Sequence, residues 1–167
     1  MDHNYILSQN KVLIKPMSYD ECQKYRELRN KENIRHWFIY KNFITEKEQY
    51  NWYKKYLESD NDCMFSIYYD GRFVGGNAIY NIDFLKSEAE YGRFLLNPEI
   101  VSGKGVGKIV MKFACIIAKQ SLGLKRLYLK VYTNNIAAIK VYKYVGFDSI
   151  KEKGKGMEKM ICMEKIL

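Results

Sequence analysis

The chain has 167 residues, 47% of them apolar and 28% charged, the balance of a globular domain long enough to bury a core. Its 28 Lys and Arg against 19 Asp and Glu give a formal charge of +9, which favours anionic partners. The longest strongly apolar stretch, Ile109 to Ala118, is broken by Lys112 and is too short to span a bilayer.

The basic residues are spread along the chain rather than gathered in a tail, so a solvated mixed surface is the ordinary reading of the charge excess. Tyrosine is frequent, at 15 residues, and most are expected to pack half-buried with the hydroxyl reaching a partner. Cys22, Cys63, Cys115 and Cys162 lie far apart without a C-x-x-C spacing. Free thiols in a reducing compartment fit better than a disulfide framework. Met1-Asp2-His3-Asn4 lacks a basic flank followed by an apolar run, so no signal peptide is expected, and the expected location is cytoplasmic. One domain over residues 1–167, with no repeat or linker, is the expected organisation.

In chain order, Lys11 to Lys15 reads as a short strand. Ser18-Tyr19-Asp20-Glu21 is a capping box, which predicts a helix to about Arg29 with Met17 and Cys22 as its hydrophobic staple. Thr45-Glu46-Lys47-Glu48 is a second box, opening a helix through Tyr56 or Leu57 with Trp52 and Tyr56 on one face. The segment between these helices, Ile34 to Tyr40, is strongly aromatic. Cys63 to Tyr69 and Arg72 to Asp83 are predicted strands joined at Asp70-Gly71, followed by a strand from Ala89 to Leu96 that ends at Asn97-Pro98.

A glycine-rich turn then leads into a helix whose Val106, Ile109, Val110, Phe113, Ile116 and Ile117 form a stripe of period 3.6. Arg126 to Tyr132 alternates with period 2. Asn135 to Val145 is predicted helical with Gly146 as its terminator, and Phe147 to Ile150 and Met160 to Lys165 finish as strands. The order βααβββαβαββ predicts an α/β (α+β) fold: a mixed sheet with helices on both faces.

Ser102-Gly103-Lys104-Gly105-Val106-Gly107-Lys108 stands between a strand and a helix start, where glycine backbone and unpaired helix amides can cradle a phosphate. A Walker loop would need Gly at Ser102 and Ser or Thr at Ile109. A dinucleotide fingerprint would need Gly at Lys108 or Val110 and an acid where Lys125 stands. Both patterns fail.

What remains, x-x-G-x-G with Gly105 and Gly107, resembles the pyrophosphate loop of the GNAT superfamily of N-acetyltransferases, Gln/Arg-x-x-Gly-x-Gly/Ala. It departs at Ser102, where that family prefers Gln or Arg. Asn135 to Phe147 resembles the family signature N-x-x-A-x-x-x-Y-x-K-x-G-F, departing at Tyr144, where Lys is common. One helix and one strand separate the two motifs, the order the family shows. The resemblance covers Lys11 to Lys165 in element order.

The resemblance implies a mostly antiparallel sheet of six to seven strands and transfer of an acetyl group from acetyl-CoA to a primary amine by direct attack. It implies a donor site built from Phe94, Leu95 and Leu96 on strand backbone, from Ser102, Gly103, Lys104, Gly105, Val106, Gly107 and Lys108 in the loop, and from Asn135 and Ala138 along the pantetheine arm. Tyr142 would place its hydroxyl near the thioester sulfur, where a phenol can protonate the departing thiolate. Glu90 is the candidate base; facing solvent, pairing with Arg93 or a Lys, and a water relay remain open beside that role. Two histidines are too few for a histidine-based metal site, and no metal is expected.

Arg29, Asn30, Trp37 and Phe38 are the candidate acceptor residues. They resemble the acceptor helices of branches that acetylate ribosomal-protein N-termini or polyamines, and of branches that acetylate amino-sugar nucleotides. The basic charge leans toward an amino-sugar nucleotide, with polyamine and protein N-terminus as alternatives. No nucleic-acid or membrane partner is expected and a homodimer is left open. A basic nucleic-acid-binding module and a non-catalytic acyl-CoA sensor are the readings of another class.

Overall fold

The computed structural model describes residues 3–154, 156 and 159–167; Met1 and Asp2, part of the amino-terminal stretch read above, lie outside them. The strands are β1 (Leu7–Gln9), β2 (Val12–Pro16), β3 (Asp62–Tyr69), β4 (Arg72–Asp83), β5 (Glu88–Leu96), β6 (Arg126–Tyr132), β7 (Asp148–Lys153) and β8 (Met160–Ile166). They form one eight-stranded sheet in the order β1-β2-β3-β4-β5-β6-β8-β7. The helices are α1 (Tyr19–Asn30), α2 (Glu32–Arg35), α3 (Glu46–Glu58), α4 (Pro98–Val101), α5 (Val106–Ile116, continued by a π turn over Ile117–Ser121) and α6 (Ile136–Tyr144).

The sheet has eight strands where six to seven were expected. The additional strand is β1, which pairs with β2 across Asn10 and Lys11, both at positive φ (49° and 66°). That geometry is the tight hairpin turn normally written Asn-Gly or Asp-Gly. With Lys in the second position, and only three residues in β1, neither turn chemistry nor alternation marks it in the sequence.

Alternation in the strands sorts the core onto two faces. Cys63, Phe65 and Ile67 of β3 pack with Val106, Val110 and Phe113 of α5 and Tyr142 of α6. Met64, between them, packs on the other face with Cys22, Tyr25 and Leu28 of α1 and Tyr56 of α3. The staple pair Met17 and Cys22 is buried, at 3% and 0% exposure. Both capping boxes form, Ser18 with Glu21 and Thr45 with Glu48.

Neighbouring strands are antiparallel except β5 and β6, which run parallel and pair only at Glu88↔Arg126, Ala89↔Leu127 and Glu90↔Tyr128. Beyond Glu90 and Tyr128 the two strands part. On its other side β5 follows β4 with a bulge: Arg93 and Phe94 stand against Asn77 alone, between the pairs Gly76↔Leu95 and Ala78↔Gly92. Arg93 takes the extra residue's left-handed conformation, φ 49°. Gly75 permits the close approach there; a Cβ on it would lie 2.1 Å from the Leu95 carbonyl oxygen.

One carboxylate fixes α1 to the sheet. Glu21 accepts from Ser18 N–H (2.8 Å), from Ser66 Oγ (2.9 Å) and from the Tyr68 hydroxyl, and pairs with Lys15 at 2.8 Å. Burial by itself would raise its pKa, but Lys15 and the hydrogen bonds from Tyr68, Ser18 and Ser66 together lower it to about 2. A folded value below the ordinary 4.5 means this stabilisation is complete above the unfolded value and is lost as pH falls through the folded one. Glu21→Gln is expected to cost about 2 kcal/mol at neutral pH. In urea titrations across pH, it should also flatten the wild-type loss of stability between 4.5 and about 2.

Candidate active site

Where β5 and β6 part, a cavity of about 230 Å³ opens between them. Tyr91 to Phe94 of β5 line one limb and Lys130 to Tyr132 of β6 the other, with Asn135, Ala138 and Tyr142 of α6 below. Arg29, Trp37, Phe38, Tyr40, Tyr80 and Glu90 also line it. Residues predicted from the end of β5, from the Asn135 to Phe147 signature and from the aromatic segment thus meet at one opening, whose wall includes none of Ser102 to Lys108.

Tyr142 is 7% exposed and held by ring contacts to Tyr91 (6.4 Å, edge-on) and Phe147 (6.2 Å). Burial pushes its pKa up, so the hydroxyl stays protonated at neutral pH and can serve as a donor. Glu90, 8% exposed, accepts from Lys130 Nζ at 3.2 Å and from Asn81 Nδ2 at 3.2 Å. Of the readings left open for Glu90, pairing with a lysine holds and facing solvent does not, since the side chain is buried on the cavity wall. Burial, then the Glu90 carboxylate, raise the pKa of Tyr80 beside it.

The start of α5 differs from the other long helices. Side chains cap α1, α3 and α6, whereas α5 begins at Gly105 with no side-chain cap. The amides of Val106 and Gly107 have no acceptor within the helix, whereas that of Lys108 donates to the Gly105 carbonyl at 3.1 Å; a phosphate is the natural partner for such a terminus. Gly105 is at φ 71° and Gly103 at φ 73°, the left-handed region. Gly107 plays a different part: a Cβ there would make ordinary contacts of 3.6–3.7 Å with Phe94, Val141 and Leu96.

The loop residues Ser102 and Lys104 are exposed. Lys104 lies 5.1 Å from the ring centre of Tyr69, and Lys108 lies 3.9 Å from that of Tyr144. Phe94 faces the cavity, while the Leu95 side chain turns to the α1–α3 core.

Two predicted polar residues are already engaged. Asn135 Oδ1 accepts from the Ala138 amide at 3.2 Å, which leaves only its Nδ2 for a ligand. Asn30 clasps the Ile44 backbone, donating to its carbonyl at 2.8 Å and accepting from its amide at 2.9 Å. It therefore positions the loop before α3 instead of lining the cavity.

Sequence reasoning missed Arg93, Lys130 and Tyr80. Arg93 Nη1 donates to both carboxylate oxygens of Asp62 (2.8 and 2.7 Å), and the guanidinium stacks on Tyr80 at 4.4 Å, while Tyr25 donates to the Arg93 carbonyl at 2.8 Å. Lys130 shares the face of Tyr128, and Glu90 pairs with Tyr128 in the parallel register. That register decides the ion pair, and no local pattern encodes it.

The Acetyltransferase (GNAT) family profile matches residues 22–147. The chain belongs to the GNAT acetyltransferase family. The enzyme is 27% identical to spermidine N(1)-acetyltransferase of Escherichia coli K12 over 143 residues, 84% of this chain and 74% of that protein. It is 31% identical to spermine/spermidine N(1)-acetyltransferase of Bacillus subtilis over 118 residues, 65% of this chain and 76% of that protein.

Among solved structures, spermidine N-acetyltransferase from Vibrio cholerae in complex with CoA and spermine superposes with a TM-score of 0.85. That alignment covers 95% of this chain and 96% of that one at 18% identity. The ribosomal L7/L12 alpha-N-protein acetyltransferase RimL in complex with coenzyme A also gives 0.85, over 98% of each chain at 12% identity. At those identities the likeness speaks to the fold. The enzyme is thus a GNAT-type N-acetyltransferase with acetyl-CoA as its acyl donor. Among the described residues, no group of three or more His, Cys, Asp or Glu could hold a metal, and no helix is long and apolar enough to cross a membrane.

The two glycines of the loop should respond differently to substitution. Gly105→Val forces a β-branched residue to positive φ, a strain of roughly 1–2 kcal/mol, and should weaken CoA binding on the order of tenfold. Gly107→Ala should leave it nearly unchanged. Calorimetric titration of each variant with CoA checks the pair.

Proposed function

We propose that the enzyme moves the acetyl group of acetyl-CoA directly onto the primary amine of a small molecule, within the opening between β5 and β6. The observation that carries this reading is the shared cavity wall. Tyr142, a buried hydroxyl held in its protonated form, and Glu90, a buried carboxylate, line the same cavity as the unpaired limbs of both strands.

In this scheme the amine nitrogen attacks the acetyl carbon, the C–N bond forms and the C–S bond breaks. Tyr142 gives its proton to the departing sulfur. The proton lost by nitrogen passes to Glu90 or, through water, to solvent. Lys130 competes for the same carboxylate oxygens at 3.2 and 3.4 Å, which favours the water route. The start of α5 and its lysines would hold the pyrophosphate, and Nδ2 of Asn135 the pantetheine arm.

For the acceptor, the named activities of the Escherichia coli and Bacillus subtilis relatives favour a polyamine. RimL keeps a protein N-terminus in view. The amino-sugar nucleotide reading rests on the basic charge of the chain. A homo-oligomer is proposed as well, since a Vibrio cholerae spermidine N-acetyltransferase is described as dodecameric.

Incubation with acetyl-CoA and a panel of small amines, followed by free-thiol detection, should show CoA release with at least one of them. Release only with peptide N-termini would overturn the small-molecule reading. Tyr142→Phe should lower kcat about 10²-fold with CoA affinity unchanged. Because the Tyr142 pKa is raised, the wild-type kcat/KM should climb with pH as the amine deprotonates and show no falling limb below about pH 10. A descending limb near neutrality, absent in Tyr142→Phe, would contradict the assigned proton donor.

A further inference from the structure

A second cavity of about 350 Å³ adjoins the first, and Arg29, Phe38, Tyr40 and Arg93 line both. Its remaining wall includes Tyr25, Ile44, Trp52 and Met64, so it is an apolar and aromatic chamber beside the site of transfer. Three cations stand around the two cavities, Arg29, Arg93 and Lys130, against two carboxylates, Glu48 and Glu90.

Most of these charges are already matched. Lys130 pairs with Glu90 at 3.2 Å, and Arg93 with Asp62, from outside the walls, at 2.7 Å. Glu48 is exposed and lends one oxygen, Oε2, to the α3 cap, accepting from Thr45 N–H and Oγ1 at 2.8 Å each, and no cation pairs with it among the described residues.

Arg29 is left. It is 7% exposed, and no ion-pair partner stands beside it among the described residues. Its Nη2 donates to the Tyr40 carbonyl at 2.8 Å, and the guanidinium lies 4.4 Å from the Phe38 ring centre. Its Nη1 is buried without any hydrogen-bond partner. A buried charged N–H left unpaired carries a desolvation cost of more than a kcal/mol, one that a planar anion can relieve by bidentate contact.

We propose that the acceptor carries, besides its amine, an anionic group, a carboxylate or a phosphate, which Arg29 receives in this chamber. The proposal rests on the amine-acetyltransferase reading above and narrows it. A polycation entering here would meet the buried, unmatched Arg29, and would find only the exposed Glu48 as a wall carboxylate without a paired cation among the described residues.

Matched amines test it: butylamine against 4-aminobutanoate, ethanolamine against phosphoethanolamine, and spermidine, each assayed by thiol release from acetyl-CoA. The charged member of at least one pair should have a kcat/KM at least tenfold above its neutral partner. The carboxylate and phosphate pairs tell which anion is used. Arg29→Gln should erase that ratio, and Arg29→Lys should restore part of it.

Equal rates within both pairs, or spermidine preferred over every anionic amine, would overturn the proposal. So would an Arg29→Gln enzyme that binds CoA normally yet keeps the ratio. Wild-type rates alone decide the matter if Arg29→Gln does not fold. Absence of thiol release with any amine would instead strike the transfer reading itself, a distinct failure.

Discussion

The parting of β5 from β6 after Glu90 and Tyr128 is the constraint on which the site depends. Parallel strands that stayed paired to their ends would bury Tyr91 to Phe94 and Lys130 to Tyr132 in a continuous ladder. Once parted, they expose backbone groups that seek hydrogen-bond partners, and side chains from both limbs face one opening. The bulge at Arg93 bends β5 away, and it is pinned from three directions: Asp62 on β3, Tyr80 on β4 and the Tyr25 hydroxyl of α1. The wedge is thus a built feature of the sheet, paid for by packing around a single left-handed residue.

In the proposed reading, donor and acceptor sides are made by different physics. The donor side would depend mainly on backbone, an uncapped helix start and glycines at positive φ, with the lysines of α5 and Asn135 in support. The acceptor side depends on side chains of α1 and the loop before α3. It is held by Glu21 against the sheet and by the Asn30 clasp on Ile44. Backbone sites tolerate sequence change and side-chain sites do not. That asymmetry fits a donor shared across a family whose acceptors range from polyamines to a ribosomal protein in the relatives' own names.

The same asymmetry explains what could be read from the sequence. Capping boxes, the period-3.6 stripe of α5, the glycine loop and the Asn135 to Phe147 signature are local patterns. The helices they mark end within a residue or two of the predicted bounds, but the α5 stripe is only partly buried: Ile116 is exposed, while Met111 and Ala114, outside it, are buried. The Asn10-Lys11 turn was hidden because its residues are not those that usually adopt it. The Glu90–Lys130 and Asp62–Arg93 pairs were hidden because they depend on strand register and on a bulge. Arg29 was read from the sequence as an acceptor residue, and it lines both cavities. Its unmatched charge is a property of three-dimensional neighbours and has no signature along the chain.

The most direct measurement of the central claim is a crystal structure of the enzyme with CoA bound. The account predicts the pyrophosphate against the amides that open α5 at Gly105 to Lys108, the pantetheine arm passing between the parted limbs of β5 and β6, and the sulfur beside the Tyr142 hydroxyl. CoA seated elsewhere, or β5 and β6 joined by a continuous ladder beyond Glu90 and Tyr128, would contradict it.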